Sequence, residues 1–589
     1  MNRTGKFRAM FVCTLLTLVF SVFSYRLVDI QINRRKKFVD LANRTQILKQ
    51  VIPARRGNIR DVHSEVLAGD MSMRRVIVDG SLLRGGSTKE VASLLATSLS
   101  LDDKALCQKI GPERRYLVVK RQVPEQTAED LRDTLTQKKY RGVYFEPDSS
   151  RIYPNGPLLC HVVGFVDHEG HGIQGIEKSM NQYLEGHPGY RYITRDRTGA
   201  ELVQRRGVEQ AASDGYNVNL TIDLGLQSMV ERELDAAVKK YAPETATIIL
   251  MRPKTGEILA MASRPHFDIN ARSTAAPEEM KNRAIIDMIE PGSTFKIVTL
   301  SAVLNEKLVT PQTPVFCENG RWEYGGKILH DAHSIGTCSV HDVLVHSSNI
   351  GSAKLAMQLG ESGLHRYIKR FGFGDRTGID LPGEIVGMVH PTSQWSKISI
   401  TRIPMGQGVG VTPIQVVTAM GAMANHGRLM MPQIVHSITD QREVPIAEFP
   451  PVTVRQVVDP ETVNQIVPAL EDVVSPHGTA KGAAVPGFRV GGKTGTAQKV
   501  SAQGGYMAGK YVVSFVGFLP AQDPELVAMV MLDNATTRQG ENYGGLVAAP
   551  IFASVAAKAM HLMRIEPTEP ILTPPTATTG TLAVDKERD

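Results

Sequence analysis

Five cysteines in 589 residues are too few for a disulfide scaffold, and none stands with histidine at metal-ligand spacing. Aromatic residues make up only 6% of the chain, and no stripe of Lys or Arg alternates with them. The formal charge of +7 therefore comes without a nucleic-acid motif, and fits work beside anionic lipid and polymer surfaces. The acyl-transfer chemistry read below implies neither an organic cofactor nor a metal. Of the sixteen histidines, His330, His333 and His346 cluster in sequence and read as packing or surface residues. Long apolar runs are also scarce, with one exception at the start.

That exception is Ala9–Tyr25, without a charged residue and preceded by Arg3, Lys6 and Arg8. At 1.5 Å per residue it measures about 26 Å, and Leu27, Val28 and Ile30 extend it toward bilayer thickness. Residues 9–31 are expected to be a transmembrane anchor after a cytoplasmic tail of residues 1–8. A cleaved signal peptide is the rival reading, but no small-x-small site follows the run. Arg34-Arg35-Lys36-Lys37 on the far side leaves orientation open on charge alone. At the other end, Pro567, Pro570, Pro574 and Pro575 among repeated threonines predict a disordered tail over 566–589.

Three short pieces stand in order between these ends: Ser293-Thr294-Phe295-Lys296, Ser347-Ser348-Asn349 and Lys493-Thr494-Gly495-Thr496. Glu290-Pro291-Gly292 halts what precedes Ser293, and Ile297, Leu300, Val303 and Leu304 then recur at helical spacing. A serine at a helix start meets free backbone N–H groups and the positive dipole end, both favourable to a developing anion. Lys296 returns to the same side of the helix. A lysine base must be neutral, and burial or a neighbouring cation such as Lys493 would depress its pKa. Ser347 and Asn349, at alternate positions of a tight connection, point one way and can hold the lysine. Lys493–Thr496, flanked by glycines, suits an edge strand that a ligand backbone approaches closely. Each piece alone reads as a helix cap or a plain strand; the ordered set points to serine acyl transfer. A second Lys-Thr-Gly at Lys254–Gly256 lies between the apolar runs Thr247–Met251 and Ile258–Ala262, and reads as a hairpin turn with a structural lysine.

The ordered trio is the signature of penicillin-binding proteins and class A β-lactamases. The chain resembles a class B penicillin-binding protein, a monofunctional peptidoglycan D,D-transpeptidase, over roughly residues 10 to 560. Asn282-Arg283-Ala284 and Glu290–Ser293 resemble the lead-in to its nucleophile, and Met405–Gly408, Thr412–Gln415 and Ala424–Gly427 its later segment. Gly544–Phe552 resembles the closing strand and helix, while Arg56–Asp61, Gly164–Asp167 and Gly172–Glu177 resemble the two ends of the non-catalytic pedestal. One departure is Asp61-Val62-His63-Ser64, where the family usually has Asp-Arg-x-Gly.

The resemblance implies an α+β chain: a transmembrane helix, an extended mixed α/β pedestal of dimerisation type over 32–212, and a transpeptidase domain over 213–565. That last domain would be an antiparallel sheet flanked by helices. Ser293 would be the nucleophile, Lys296 its base, and Ser347 and Asn349 proton relay and substrate holder. Lys493, Thr494, Gly495 and Thr496 would bind substrate, with backbone N–H groups of Ser293 and Thr496 as oxyanion hole. Partners implied are peptidoglycan stem peptides, their lipid-linked precursor, β-lactams, a SEDS-family glycosyltransferase and divisome proteins. The protein would sit in the inner membrane with its catalytic part outside. Rivals are a D,D-carboxypeptidase, a β-lactamase or β-lactam sensor, a non-catalytic scaffold and a bifunctional glycosyltransferase. No long pedestal insertion is present, which favours division over elongation. Cys317 and Cys338 flank a short loop before Ser347, and disulfide and free thiols are both open.

Overall fold

The computed structural model describes residues 3–38, 47–83, 87–194, 209–501, 505–537 and 542–570. Most of the expected tail therefore lies outside the described residues. The chain divides into two compact units, the first Met1–Arg56, Ser72–Ser149 and Gly186–Gly215, the second Gly57–Met71, Ser150–Glu185 and Tyr216–Asp589.

In the first unit the apolar N-terminal run forms a helix, Arg3–Val28, about 39 Å long at 1.5 Å per residue. Its apolar side chains are exposed along the whole length, as a bilayer-facing helix requires. A π-helical turn, Asp29–Asn33, follows, with Asp29 held between Arg26 and Arg34. Further on, residues of Val66–Val78 pair antiparallel with Leu117–Pro124. Helices Ser87–Leu99, Asp103–Lys109 and Glu125–Gln137 bury Leu95, Leu99, Leu106, Leu131 and Leu135 with Val76, Val78 and Val123.

The second unit holds the three motifs. Its elements, numbered within it, are α1 (Leu224–Tyr241), β1 (Thr245–Met251), β2 (Ile258–Arg264), α2 (Lys296–Asn305), α3 (Asn349–Leu359), α4 (Pro413–Ala424), β3 (Gly491–Val500), β4 (Tyr506–Leu519), β5 (Leu526–Asp533) and α5 (Gly544–Leu562). The five strands form one antiparallel sheet in the order β2-β1-β5-β4-β3. Period-two alternation sorts its side chains into two cores. Ile248, Leu250, Phe515, Val530 and Leu532 pack with Val230 and Leu234 of α1 and Phe552 and Val555 of α5. Ile249, Met251, Val516, Met529 and Met531 face the other way, toward Leu300 and Val303 of α2 and Val417 and Met420 of α4. Both faces are covered, so the strands read as continuous apolar runs rather than as alternating ones.

Pieces from the expected pedestal range also belong to this unit. Ile59 and Arg60 pair parallel with Val218 and Asn219. Arg151 is bonded to Glu177 at 2.7 Å and Asp70 at 3.2 Å, and all three side chains are largely buried. A buried charge is tolerated only when so compensated.

Candidate active site

Ser293 lies in a 3-10 turn, Gly292–Phe295, and the α-helix begins only at Lys296. The sequence reading placed the helix start at Ser293. In such a turn positions three apart eclipse, which favours Lys296, the residue that closes it, lying on the Ser293 side. Gly292 has φ +57°, and a Cβ added there would lie 3.0–3.3 Å from Thr496 backbone atoms. The nucleophile turn is thus packed backbone to backbone on the third motif. Gly495 completes the contact: a Cβ would fall 2.3 Å from Ser514 Oγ and 3.0 Å from the Pro291 carbonyl oxygen. Ser293 is half-buried, with no hydrogen bond from its hydroxyl among the described residues.

Lys296 is fully buried. Its Nζ donates to Asn349 Oδ1 at 2.8 Å, to Ser347 Oγ at 3.0 Å and to the Ser347 carbonyl. The expected convergence of Ser347 and Asn349 on the lysine is therefore present. Ser348, between them, is the N-cap of α3 and accepts from Gly351 N at 2.9 Å. Capping and site assembly are one arrangement, not alternatives. Ser347 takes a left-handed conformation with φ 59°, which turns its carbonyl and its hydroxyl together onto Lys296.

Lys493, on β3 at the free edge of the sheet, is also fully buried. Burial depresses its pKa to about 7. Burial pushes Lys296 well below the usual lysine range, and the Lys493 charge adds to that push while Asp331 opposes it. Lys493 Nζ donates to Thr494 Oγ1 at 3.3 Å, and that hydroxyl lies 3.4 Å from the hydroxyl of exposed Thr479. Thr496 Oγ1 accepts from Gly544 N at 3.0 Å, tying β3 to the start of α5. All eight residues singled out in the sequence are thus carried by three adjoining segments of one unit.

The second Lys-Thr-Gly does not join them. Lys254 is in the β1–β2 turn, at the sheet edge opposite β3, and pairs with Asp523 at 2.8 Å and Glu525 at 2.5 Å. His330 meets the site through its backbone: its carbonyl accepts from Asn349 Nδ2 at 2.8 Å. Cys338 lies on the strand Thr337–Ser339 and Cys317 directly follows its partner strand Pro314–Phe316; their sulfurs are 3.6 Å apart, both free thiols.

Two further contributors lie outside the three motifs. Asp331 accepts from Ser348 Oγ at 2.6 Å. Glu290 accepts from Gly408 N at 2.8 Å and from the Tyr506 hydroxyl at 3.1 Å, joining the nucleophile lead-in to two neighbouring segments. Burial raises the Glu290 carboxyl, against those two donors. The Glu290–Gly408 link joins two segments already quoted for the family resemblance, but nothing in their spacing announced the contact.

Residues 246–557 match the penicillin-binding protein transpeptidase domain, and residues 51–220 the penicillin-binding protein dimerisation domain. The chain is a class B penicillin-binding protein. Stage V sporulation protein D of Bacillus subtilis is 35% identical, across 96% of this chain and 87% of that protein. Peptidoglycan D,D-transpeptidase FtsI of Escherichia coli is 30% identical, across 94% and 91%. Among solved structures, penicillin binding protein 3 of Mycobacterium tuberculosis complexed with aztreonam superposes with a TM-score of 0.69 at 28% identity, covering 90% of this chain and all of that one. A peptidoglycan synthetase from Bifidobacterium adolescentis gives a TM-score of 0.72 at 25% identity, covering 89% and 98%. Membership of the family makes this protein a serine-type transpeptidase, and its long apolar N-terminal helix suits a membrane anchor.

Proposed function

We propose that the protein cross-links peptidoglycan as a D,D-transpeptidase working through a Ser293 acyl-enzyme. The observation that carries this reading is the fully buried Lys296 amine, three residues after Ser293, held by Ser347 and Asn349 and acted on by the Lys493 charge. Ser293 Oγ attacks the carbonyl of the penultimate D-Ala of a stem peptide, and its proton passes to neutral Lys296. The new C–O bond replaces the C–N bond to the terminal D-Ala, whose amine leaves with a proton relayed through Ser347. An amine of a second stem then attacks the ester, forms the cross-link and returns the proton to Ser293 Oγ. Backbone N–H groups of Ser293 and Thr496 stabilise the oxyanion, roughly 3 kcal/mol for a well-placed donor. Lys493, Thr494 and Thr496 receive the terminal carboxylate on the β3 edge, and Gly495 admits the donor backbone. A β-lactam acylates the same serine.

The anchor is retained over residues 9–31 and places the pedestal (32–212) and the transpeptidase domain (213–565) on the outer side of the inner membrane. The role is septal, a reading supported by the lack of a long pedestal insertion, with a SEDS-family glycosyltransferase supplying glycan strands. Ser293→Ala is expected to stay folded and membrane-bound yet bind no fluorescent penicillin covalently; labelling at another serine would remove the assignment. Counting cross-links against free D-Ala distinguishes transpeptidation from carboxypeptidase activity. Depletion that yields spheres instead of filaments would move the role to elongation.

A further inference from the structure

Asp331 belongs to none of the three motifs, yet it meets the second one at three points. One carboxylate oxygen accepts from Ser348 Oγ at 2.6 Å, and the other from Asn349 N at 2.5 Å and Ile350 N at 3.0 Å. Asp331 is itself fixed, because its N–H donates to the Gly320 carbonyl at 3.1 Å, at the base of the hairpin Arg321–Tyr324 and Lys327–His330. The same hairpin supplies the His330 carbonyl that holds Asn349 Nδ2. Asn349 is therefore gripped by backbone and by side chain from one loop.

The grip falls beside a strained turn. Ser347 has φ 59°, a region non-glycine residues enter only when their surroundings enforce it. In that conformation the Ser347 carbonyl and hydroxyl both reach Lys296 Nζ. The negative charge at the start of α3 also suits the helix dipole, which adds to the hold on this turn.

We propose that Asp331 is the positioning residue of the acyl-transfer site, holding Ser348–Ile350 so that Ser347 and Asn349 stay on Lys296, and setting a fixed negative charge against the Lys296 amine. The proposal rests on Lys296 acting as the base. Two charged groups bear on that amine, Lys493 from β3 and Asp331 from the hairpin loop; its hydrogen-bond partners Ser347 and Asn349 are neutral. Lys493 favours loss of the Lys296 proton and Asp331 favours its retention. Without the Asp331 charge, Lys296 becomes neutral at lower pH, and the acid limb of the acylation profile moves down.

The test is the second-order acylation rate of the full-length protein by fluorescent penicillin, measured from acidic to alkaline pH. Asp331→Asn keeps the shape and removes the charge, Asp331→Ala removes both, and Ser348→Ala cuts one link while leaving the charge. Asp331→Asn is expected to lower the plateau roughly tenfold and Asp331→Ala roughly a hundredfold. Asp331→Asn should also shift the acid limb to lower pH, whereas Ser348→Ala should lower the plateau with the limb unmoved. A plateau for Asp331→Ala within about twofold of wild type overturns the positioning role. A lowered plateau with an unmoved limb in Asp331→Asn reduces Asp331 to a brace and overturns the electrostatic part. If Asp331→Ala does not fold, the limb and plateau of Asp331→Asn decide alone. Penicillin labelling that survives in Ser293→Ala would instead count against the proposed function, a result independent of Asp331.

Discussion

Lys493 presses its charge on the buried amine of Lys296, and among the described residues neither lysine has an ion-pair partner. Most buried lysines are paired, because an unpaired ammonium loses hydration without compensation. On the proposed mechanism that cost is the device: it favours the neutral amine that a base must be, at a pH where an ordinary lysine is protonated.

Lys296→Arg keeps a cation at the position but removes the base. A guanidinium stays protonated in proteins and cannot accept the Ser293 proton. Acylation by β-lactam is expected to fall by roughly a hundredfold or more, as for loss of a general base. Stopped-flow acylation near the wild-type rate would make Lys296 structural.

The two Lys-Thr-Gly triplets give a matched pair. Lys254→Ala breaks surface ion pairs with Asp523 and Glu525, worth at most about 1 kcal/mol, and should leave acylation untouched. Lys493→Ala removes a buried charge from the site and should slow acylation by β-lactam and peptide donor alike, roughly a hundredfold for a contact of about 3 kcal/mol. Equal impairment of the two variants in parallel rate measurements would mean that the third motif is misplaced.

Stability should carry the mark of Lys493. Its pKa is about 7 in the fold, against about 10.4 in an unfolded chain. Between those values the unfolded state binds more protons, so stability rises with pH across the window and is lost as pH falls toward 7. Lys493→Met is expected to flatten that rise by a few kcal/mol at most, on the order of one per pKa unit. Denaturant midpoints of both proteins near neutral and near alkaline pH read the difference directly; parallel curves would show that burial does not depress the Lys493 pKa.

The anchor can be tested by protein sequencing. The mature membrane protein should retain Met1–Ile32, and a reporter enzyme fused after residue 31 should be active only outside the cytoplasmic membrane. A mature N-terminus after about residue 24, beyond the apolar core expected of a signal peptide, would show cleavage instead.

The acyl-transfer motifs were legible because the chemistry fixes residue type: only a few side chains can attack, deprotonate or relay, and their spacing follows the turns that carry them. The hairpin around Lys254 was legible for a similar local reason, two apolar runs joined by Pro-Lys-Thr-Gly. The 3-10 turn at Ser293 was not, since its residues suit an α-helix equally and packing of Gly292 on Thr496 decides between them. Asp331 and Thr479 stayed hidden because each is an ordinary polar residue in a loop. What gives Asp331 its place is a contact across 17 residues to Ser348, and for Thr479 one across 15 to Thr494. Such pairings are set by the path of the backbone, which no local pattern records.

The tight seat of Gly495 has a bearing on resistance to inhibitors. Every other amino acid begins with a Cβ, and at this position that atom meets the Pro291 carbonyl, part of the turn that carries the nucleophile. If Ser293 is the nucleophile, as proposed, a substitution at Gly495 that repelled a drug would disturb it as well, and cross-linking would fall together with susceptibility. On the same reading, selection by a β-lactam is steered toward exposed side chains such as Thr479 and Tyr506, which lie outside that contact.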